Sequence, residues 1–425
     1  MILRQSEQIF NTQPAPISHL RLMLVMGLTC ALGPMAIDMY LPALPMIEQM
    51  FETTESLVQQ SLMGFFLGLA SGQLFMGPFS DKWGRRKIIL SGVFMYAIGA
   101  LGCALAAHVE MLIIFRFVQG FGAAVGMSVG MAVVRDLYMG PQAARLMALI
   151  ALVVSITPVV APAWGAAIIQ HYPWQMIFVV LSCLAVLAMG LVAFLLPETT
   201  SAENRAQFLL SQVLHNYGHL LKSSRFLPFV AVAALCQAGF FAYISGAAFF
   251  FIKTHGLDPL HFSFLLMLNA LGMMIAAQVN ARLLKKFGAV AVVKTAVGIY
   301  ALCSFLLLTM VVLNVGAVSA YVFVVFVVAV MLPVIMPCCA MLCLRAWGPI
   351  AGTASAMMGF LQFGAGAVVT ALVGAFANGT AIPMFLTMVL CSVVALGCIV
   401  LFWPKKFEMA APGSPSLQSG GAKRD

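Results

Sequence analysis

The chain has 425 residues, of which 63% are hydrophobic and only 8% charged, and its mean hydropathy is +1.04. Soluble domains carry about a quarter charged residues, so a soluble enzyme or binding module is excluded and the bilayer must solvate most of the chain. The net charge of +9 does not point to nucleic acid, because Lys and Arg fall in short loops between apolar runs, a pattern that reports topology.

Residues 1–19 form a polar segment with no sign of a cleavable signal peptide. Apolar runs long enough to span a bilayer then follow at 20–46, 57–78, 88–107, 109–132, 144–170 and 173–196. After the polar connection 197–225 they resume at 226–252, 262–284, 289–312, 318–343, 353–376 and 381–403. The runs are continuous rather than alternating, which excludes a β-barrel. The tail 404–425 is rich in Gly, Ser, Pro and Ala and is expected to be disordered. Ten Cys lie mostly within the apolar runs and read as small packing residues.

The loops set the orientation. Lys82, Arg85, Arg86, Lys87, Arg135, Arg145, Arg205, Lys222, Arg225, Arg282, Lys285, Lys286, Arg345, Lys405 and Lys406 fall on one side. Glu48, Glu52, Glu55, Glu110 and Asp258 fall on the other, with Lys253 as the one basic residue there. The positive-inside rule then places both termini in the cytoplasm. The connection 197–225, also cytoplasmic, divides the runs into 20–196 and 226–403. A duplication is suggested by Asp81-Lys82-Trp83-Gly84-Arg85-Arg86 after the second run and Lys285-Lys286-Phe287-Gly288 after the eighth.

Two ionisable residues stand out as deep inside spans. Asp38 sits in the first run and Arg116 in the fourth. A carboxylate there is costly when ionised and unpaired, so it should face a cavity, as a proton-coupling group must. The bland alternative is a neutral or permanently paired structural acid. Asp38 is about 15 Å before Glu48 along its helix, and Arg116 about 9 Å beyond Glu110. The two should therefore approach each other, directly or through water, with Arg116 tuning Asp38. The alternative for Arg116 is a packing strut.

The most specific motif is Gly77-Pro78-Phe79-Ser80-Asp81-Lys82-Trp83-Gly84-Arg85-Arg86-Lys87. With it the chain resembles the major facilitator superfamily, whose loop between helices two and three has this form. The glycines permit a tight turn, and a carboxylate at Asp81 suits the positive N-terminal end of a helix. The resemblance implies that this partner is helix eleven, starting near Thr353, and that Gly77, Asp81, Gly84, Arg85 and Arg86 form a cytoplasmic gate latched in the outward-facing state.

In the fifth run, Pro158 and Pro162 remove backbone donors and are expected to bend the helix, while Gly165 permits close contact. This Pro-x-x-x-Pro segment, the Asp38-to-Pro45 stretch and Ala242-Tyr243-Ile244-Ser245-Gly246 together resemble the Bcr/CflA drug-resistance branch. The superfamily's antiporter signature, Gly-Pro followed by Gly-Gly, is not matched, since Ala161 precedes Pro162 and Ala166 follows Gly165. Tyr40, Gln119, Gln237, Tyr243, Asn269 and Gln362 are polar or aromatic residues within spans, and are candidates for a substrate cavity or for helix packing. No catalytic or metal-binding pattern stands out, no Walker loop supplies ATP, and no cofactor is expected.

The expectation is an all-α membrane protein of the major facilitator fold, with 12 transmembrane helices in two six-helix bundles related by pseudo-twofold symmetry. The resemblance implies a monomeric, proton-coupled exporter of small amphipathic or apolar compounds, of the chloramphenicol or bicyclomycin type, in a bacterial inner membrane. Its partners are then a small-molecule substrate, protons and the lipid bilayer. Two alternatives remain: a transporter of another small metabolite or siderophore, and a non-transporting sensor or scaffold.

Overall fold

The computed structural model describes residues 17–200 and 210–402. The expected N-terminal segment up to residue 16, residues 201–209 of the central connection and the expected disordered tail lie outside the described residues.

The first bundle contains α1 (His19–Met50), α2 (Glu55–Trp83), α3 (Arg85–Ala104), α4 (Val109–Leu137), α5 (Gly140–His171) and α6 (Gln175–Leu195). A short amphipathic helix, Leu210–Lys222, lies in the central connection. The second bundle begins with α7 (Leu227–Thr254). The next stretch, Pro259–Val312, is a helical unit of 54 residues interrupted at Gly288, where φ is 75° and ψ 157°. That break divides it into α8 (259–287) and α9 (289–312), followed by α10 (Val318–Leu344), α11 (Ala351–Ala375) and α12 (Ile382–Phe402). With the division, the eleven long apolar helices among the described residues make twelve spans.

Gly84 (φ 99°) ends α2 as Gly288 (φ 75°) ends α8. Both backbone positions are left-handed and suit glycine. The echo between the two loops in the sequence therefore corresponds to the same turn after the second helix of each half. At Gly84 a second constraint acts, because a Cβ would stand 2.7 Å from Cδ of Glu198.

Glycines also set the closest helix crossings. A Cβ on Gly122 would stand 2.5 Å from the Gly92 carbonyl oxygen, and one on Gly126 would stand 2.6 Å from that of Thr29. Without hydrophobic drive between helices in lipid, such close backbone approach supplies the packing energy. Within the first bundle α2 packs on α4, α3 on α4 and α6, and α1 on α5. Within the second, α7 packs on α11 and α12, and the α8–α9 unit on α10 and α12. The bundles meet along two seams, α2 with α11 and α5 with the α8–α9 unit. Large apolar side chains such as Phe194 (89% exposed) and Leu401 (74%) cover the outside, where lipid rather than water is the fitting solvent.

α1 is not one regular helix. Its first part, His19–Asp38, ends at Asp38, a short 3₁₀ turn spans Leu41–Ala43, and helix resumes at Leu44–Met50. The prolines explain this. Pro42 and Pro45 lack the N–H that would bond back to the residue four earlier, here Asp38 and Leu41. The break lies against the close crossing with α5, since a Cβ on Gly165 would stand 2.9 Å from the Cα of Met39.

Candidate functional site

Two faces of the molecule differ in how the bundles meet. The end bearing the Gly84 and Gly288 turns is called the basic face here, from its Lys and Arg, and the other end the acidic face.

At the acidic face the bundles touch. Lys253 of α7 donates to both carboxylate oxygens of Glu48 of α1, each at 2.9 Å. Ser263 of α8 donates to the Pro162 carbonyl of α5 at 3.0 Å. On the other seam, a Cβ on Gly374 of α11 would lie 3.2 Å from the Ser56 carbonyl oxygen of α2. Behind Lys253 the chain forms a six-residue π-helical turn, Phe249–Thr254. There Phe250 packs edge-on against Tyr321, Phe385 and His255. Deeper, the Phe66 ring of α2 stacks on Phe241 of α7 at 4.2 Å, and Phe241 on Phe363 of α11 at 5.8 Å.

Towards the basic face the bundles part and leave a cavity of about 620 Å³. One wall is α2 and α4, with Gln73, Gly77, Asp81, Met127, Ser128 and Asp136. The other is α11, from Gly352 to Phe363, with Ser355, Met358 and Gln362. Val213 of the short connecting helix also lines it. The ionic residues Asp81, Arg85, Arg135 and Asp136 lie at the basic end. The inner end, under the phenylalanine stack, holds carboxamides, thioethers and Phe363.

Arg85 organises the mouth. It pairs with Asp81, its Nε lies 3.0 Å from Asp136 Oδ2, and its Nη1 donates to Ser80 Oγ at 2.6 Å. Its backbone N–H donates to Glu198 Oε1 at 2.8 Å, and Thr199 Oγ1 donates to Asp136 at 3.1 Å. Arg86 donates to the Ala193 carbonyl of α6. Gly77 borders the cavity with open space around it. Among the described residues Asp81 makes no ion pair or hydrogen bond with the start of helix eleven. Asp81, Gly352 and Thr353 all line the cavity, and Arg85 pairs with the carboxylate.

Arg116 is fully buried. Its Nη1 donates to the Ala36 carbonyl at 3.0 Å and to Gln119 Oε1 at 2.7 Å. The guanidinium lies over the rings of Phe65, Tyr40 and Phe178, at 4.3, 4.7 and 5.8 Å. Nε and Nη2 have no hydrogen-bond partner among the described residues. Of the expected approach of Asp38 and Arg116, directly or through water, the direct form is not found: among the described residues Asp38 makes no ion pair, and Arg116 caps the broken helix instead. The reason is local. Tyr40 N bonds Ile37 O in the tight turn after Asp38, so the Ala36 carbonyl loses its usual i+4 donor. It is left at the negative end of a helix dipole, where a cation is stabilised. Aromatic faces and a carboxamide complete the setting for a charge without a counter-ion. Asp38 is half-buried and is not among the residues lining the cavity.

The other candidates scatter. Gln362 lines the cavity. Tyr40 is buried, its hydroxyl 2.7 Å from Ser61 Oγ, and Gln119 serves Arg116. Tyr243 and Asn269 are buried in the second bundle, and Asn269 Oδ1 has no hydrogen-bond partner among the described residues. Gln237 is half-buried in α7, away from the cavity lining. Pro158 and Pro162 both lie inside the continuous helix α5. Sequence reasoning did not single out Gln73, Asp136, the Phe66–Phe241–Phe363 stack or the Glu48–Lys253 pair. Two signals were present. Gln73 is a carboxamide in an apolar run, as Gln362 is. Lys253 is a lone cation on an acidic side, and its partner had to be one of the few carboxylates there.

The sequence model described as Major Facilitator Superfamily matches residues 26–371. A bicyclomycin resistance protein homolog of Haemophilus influenzae is 34% identical, over 88% of this chain and 94% of that protein. A chloramphenicol resistance protein of Pseudomonas aeruginosa is 29% identical over 63% of each chain. Among solved structures, a D-xylose–proton symporter superposes with a TM-score of 0.71 at 16% identity, covering 91% of this chain and 98% of that one.

Proposed function

The chain belongs to the major facilitator superfamily, and from that premise we propose a proton-driven exporter of small amphipathic or apolar compounds, acting as a monomer in a bacterial inner membrane. The fold and its relatives are those of multi-pass membrane transporters, and this reading takes the cargo to be a small molecule and the chain to catalyse no reaction. In this reading both termini and the basic face are cytoplasmic, following the Lys/Arg bias of the loops. The state described is inward-facing. The bundles 20–196 and 226–403 rock about the phenylalanine stack, so that the cavity opens to one side at a time.

The observation that carries the reading is the asymmetry of the two faces. A cavity of about 620 Å³ opens between the bundles at the basic end, while the Glu48–Lys253 pair and two helix seams close the acidic end. A sensor or scaffold has no need of that arrangement. The substrate class follows the relatives, which include bicyclomycin and chloramphenicol resistance proteins.

Asp38 carries the proton. It does not line the cavity in this state, but it is an acid at the break of a discontinuous helix, where backbone and side chain can rearrange as the bundles tilt, so in this reading it meets the cavity only in the other state. Arg116, fixed by the Ala36 carbonyl and three rings, holds the positive charge that keeps the site's field constant. Asp81, Arg85 and Arg86, with Gly77 and Gly84 shaping the turn, form the gate that closes the basic face once substrate is aboard.

The test is transport by the purified chain in liposomes under an imposed pH gradient. Chloramphenicol and bicyclomycin should move against the direction of the protons, and dissipating the gradient should stop the movement. Substrate flux that ignores the gradient removes proton coupling, and no flux of any compound in a broad panel removes export.

A further inference from the structure

At the inner end of the cavity two carboxamides converge, one with only a weak thioether partner and one with none among the described residues. Gln73 of α2 is only 5% exposed and lines the cavity. Its Nε2 reaches the Met127 thioether at 3.8 Å, a weak acceptor. Its Oε1 has no partner among the described residues. The amide lies against α11 at Gly359, where a Cβ would stand 3.0 Å from Gln73 Cδ and 3.1 Å from its Oε1. Gln362 is three residues further along α11, on the same helix face as Gly359, and also lines the cavity with no hydrogen bond among the described residues. One donor–acceptor group on each bundle therefore points into the same end of the cavity.

The charges are elsewhere. Asp81 is eight residues beyond Gln73 on the same helix, about 12 Å toward the mouth. Met127, Met358 and Phe363 complete the inner end. An ion lodged there would be desolvated with no counter-charge, at high cost. An uncharged group offering an N–H beside a C=O meets both halves of a carboxamide, and its apolar remainder meets thioether and ring.

We infer that Gln73 and Gln362 form a hydrogen-bonding clamp for the amide or lactam group of uncharged substrates, and that this clamp discriminates against cations. The inference rests on the export reading above and adds to it the group that is recognised. Because the clamp has one member on each bundle, the bound amide bridges them, and binding and bundle closure are coupled.

The experiment is isothermal titration of the intact purified chain with chloramphenicol, an uncharged amide, and tetraphenylphosphonium, a cation without hydrogen-bonding groups. The wild type should prefer chloramphenicol. Gln73→Leu and Gln362→Leu should each weaken it about tenfold, the scale of one lost buried hydrogen bond, and leave tetraphenylphosphonium within twofold. Gln362→Leu, at a half-buried position, carries the test should Gln73→Leu not fold. Unchanged chloramphenicol binding in the folded variants, equal loss for both probes, or a wild type that prefers the cation overturns the clamp. Liposome export by the wild type separates these results from failure of the export reading: export that persists while selectivity is unaffected leaves that reading standing and the clamp refuted.

Discussion

The hydroxyl of Tyr217 donates to the Leu74 carbonyl at 3.0 Å, and Leu74 is the residue whose intrahelical donor is missing because position 78 is proline. A helix from the central connection thus satisfies an acceptor that the motif's own proline leaves free inside α2. The bond ties the connection between the bundles to the wall of the cavity, one turn from Gly77.

Tyr217→Phe removes this bond and little else. The docked helix Leu210–Lys222 should lose about 1 kcal/mol of local stability, so its amides should exchange about fivefold faster while α2 itself stays protected. Burial and the nearby Asp81 carboxylate push the Tyr217 phenol up to about 12. The donor is the protonated form and its folded value is raised. The contribution is therefore complete below about pH 10, the ordinary tyrosine value, and declines only as pH passes about 12. Exchange of this helix should not change between pH 6 and pH 9 once corrected for intrinsic rates.

Asp38→Asn should abolish proton-driven export while leaving expression and thermal stability near those of the parent, because the carboxylate has no ion pair or hydrogen bond among the described residues to lose. Counterflow of substrate without a gradient should survive. Normal accumulation against a substrate gradient by the variant would remove Asp38 from the coupling role.

Arg116 should tolerate no substitution, lysine included. A single ammonium cannot donate to the Ala36 carbonyl and Gln119 while presenting a flat face to Phe65 and Tyr40. Loss of the charged hydrogen bonds should destabilise the fold by about 2–3 kcal/mol in both Arg116→Lys and Arg116→Met, read as a lower melting temperature in detergent.

Glu48→Gln should weaken the closure of the acidic face. Lys253 is 53% exposed at its side chain, so the pair is worth at most about 1 kcal/mol, a fivefold shift toward the outward-facing state. Amide exchange in Phe249–Thr254 should accelerate and that of the first turn of α11 should slow. A change of both in the same direction would indicate loosening rather than a shift between states.

Much of the architecture was legible without coordinates. Twelve apolar runs predicted twelve spans, with ends displaced by a few residues, and the split at Gly288 is the turn that Lys285-Lys286-Phe287-Gly288 foreshadowed. The superfamily resemblance carried by Gly77 to Lys87 is borne out by the match over residues 26–371. The depth of Asp38 and Arg116 also followed from counting residues along helices. Their contact did not, because equal depth says nothing about rotation, and the break after Asp38 freed a backbone carbonyl that competes for the guanidinium. Of six cavity candidates only Gln362 borders the cavity, while Gln73, of the same chemical type, was overlooked.

The sequence by itself determined which segments cross the bilayer, since a buried backbone in lipid must be helical and apolar for about 20 residues, and which end of each faces the basic side, since charge bias is additive along the chain. Only the tertiary structure decided which polar groups meet. These helices are apolar almost all round, so periodicity does not mark their inward faces. Pairings such as Arg116 with Ala36, Gln73 with Gly359 and Glu48 with Lys253 depend on helix rotation and on the tilt between bundles, which arise from the packing of distant segments together.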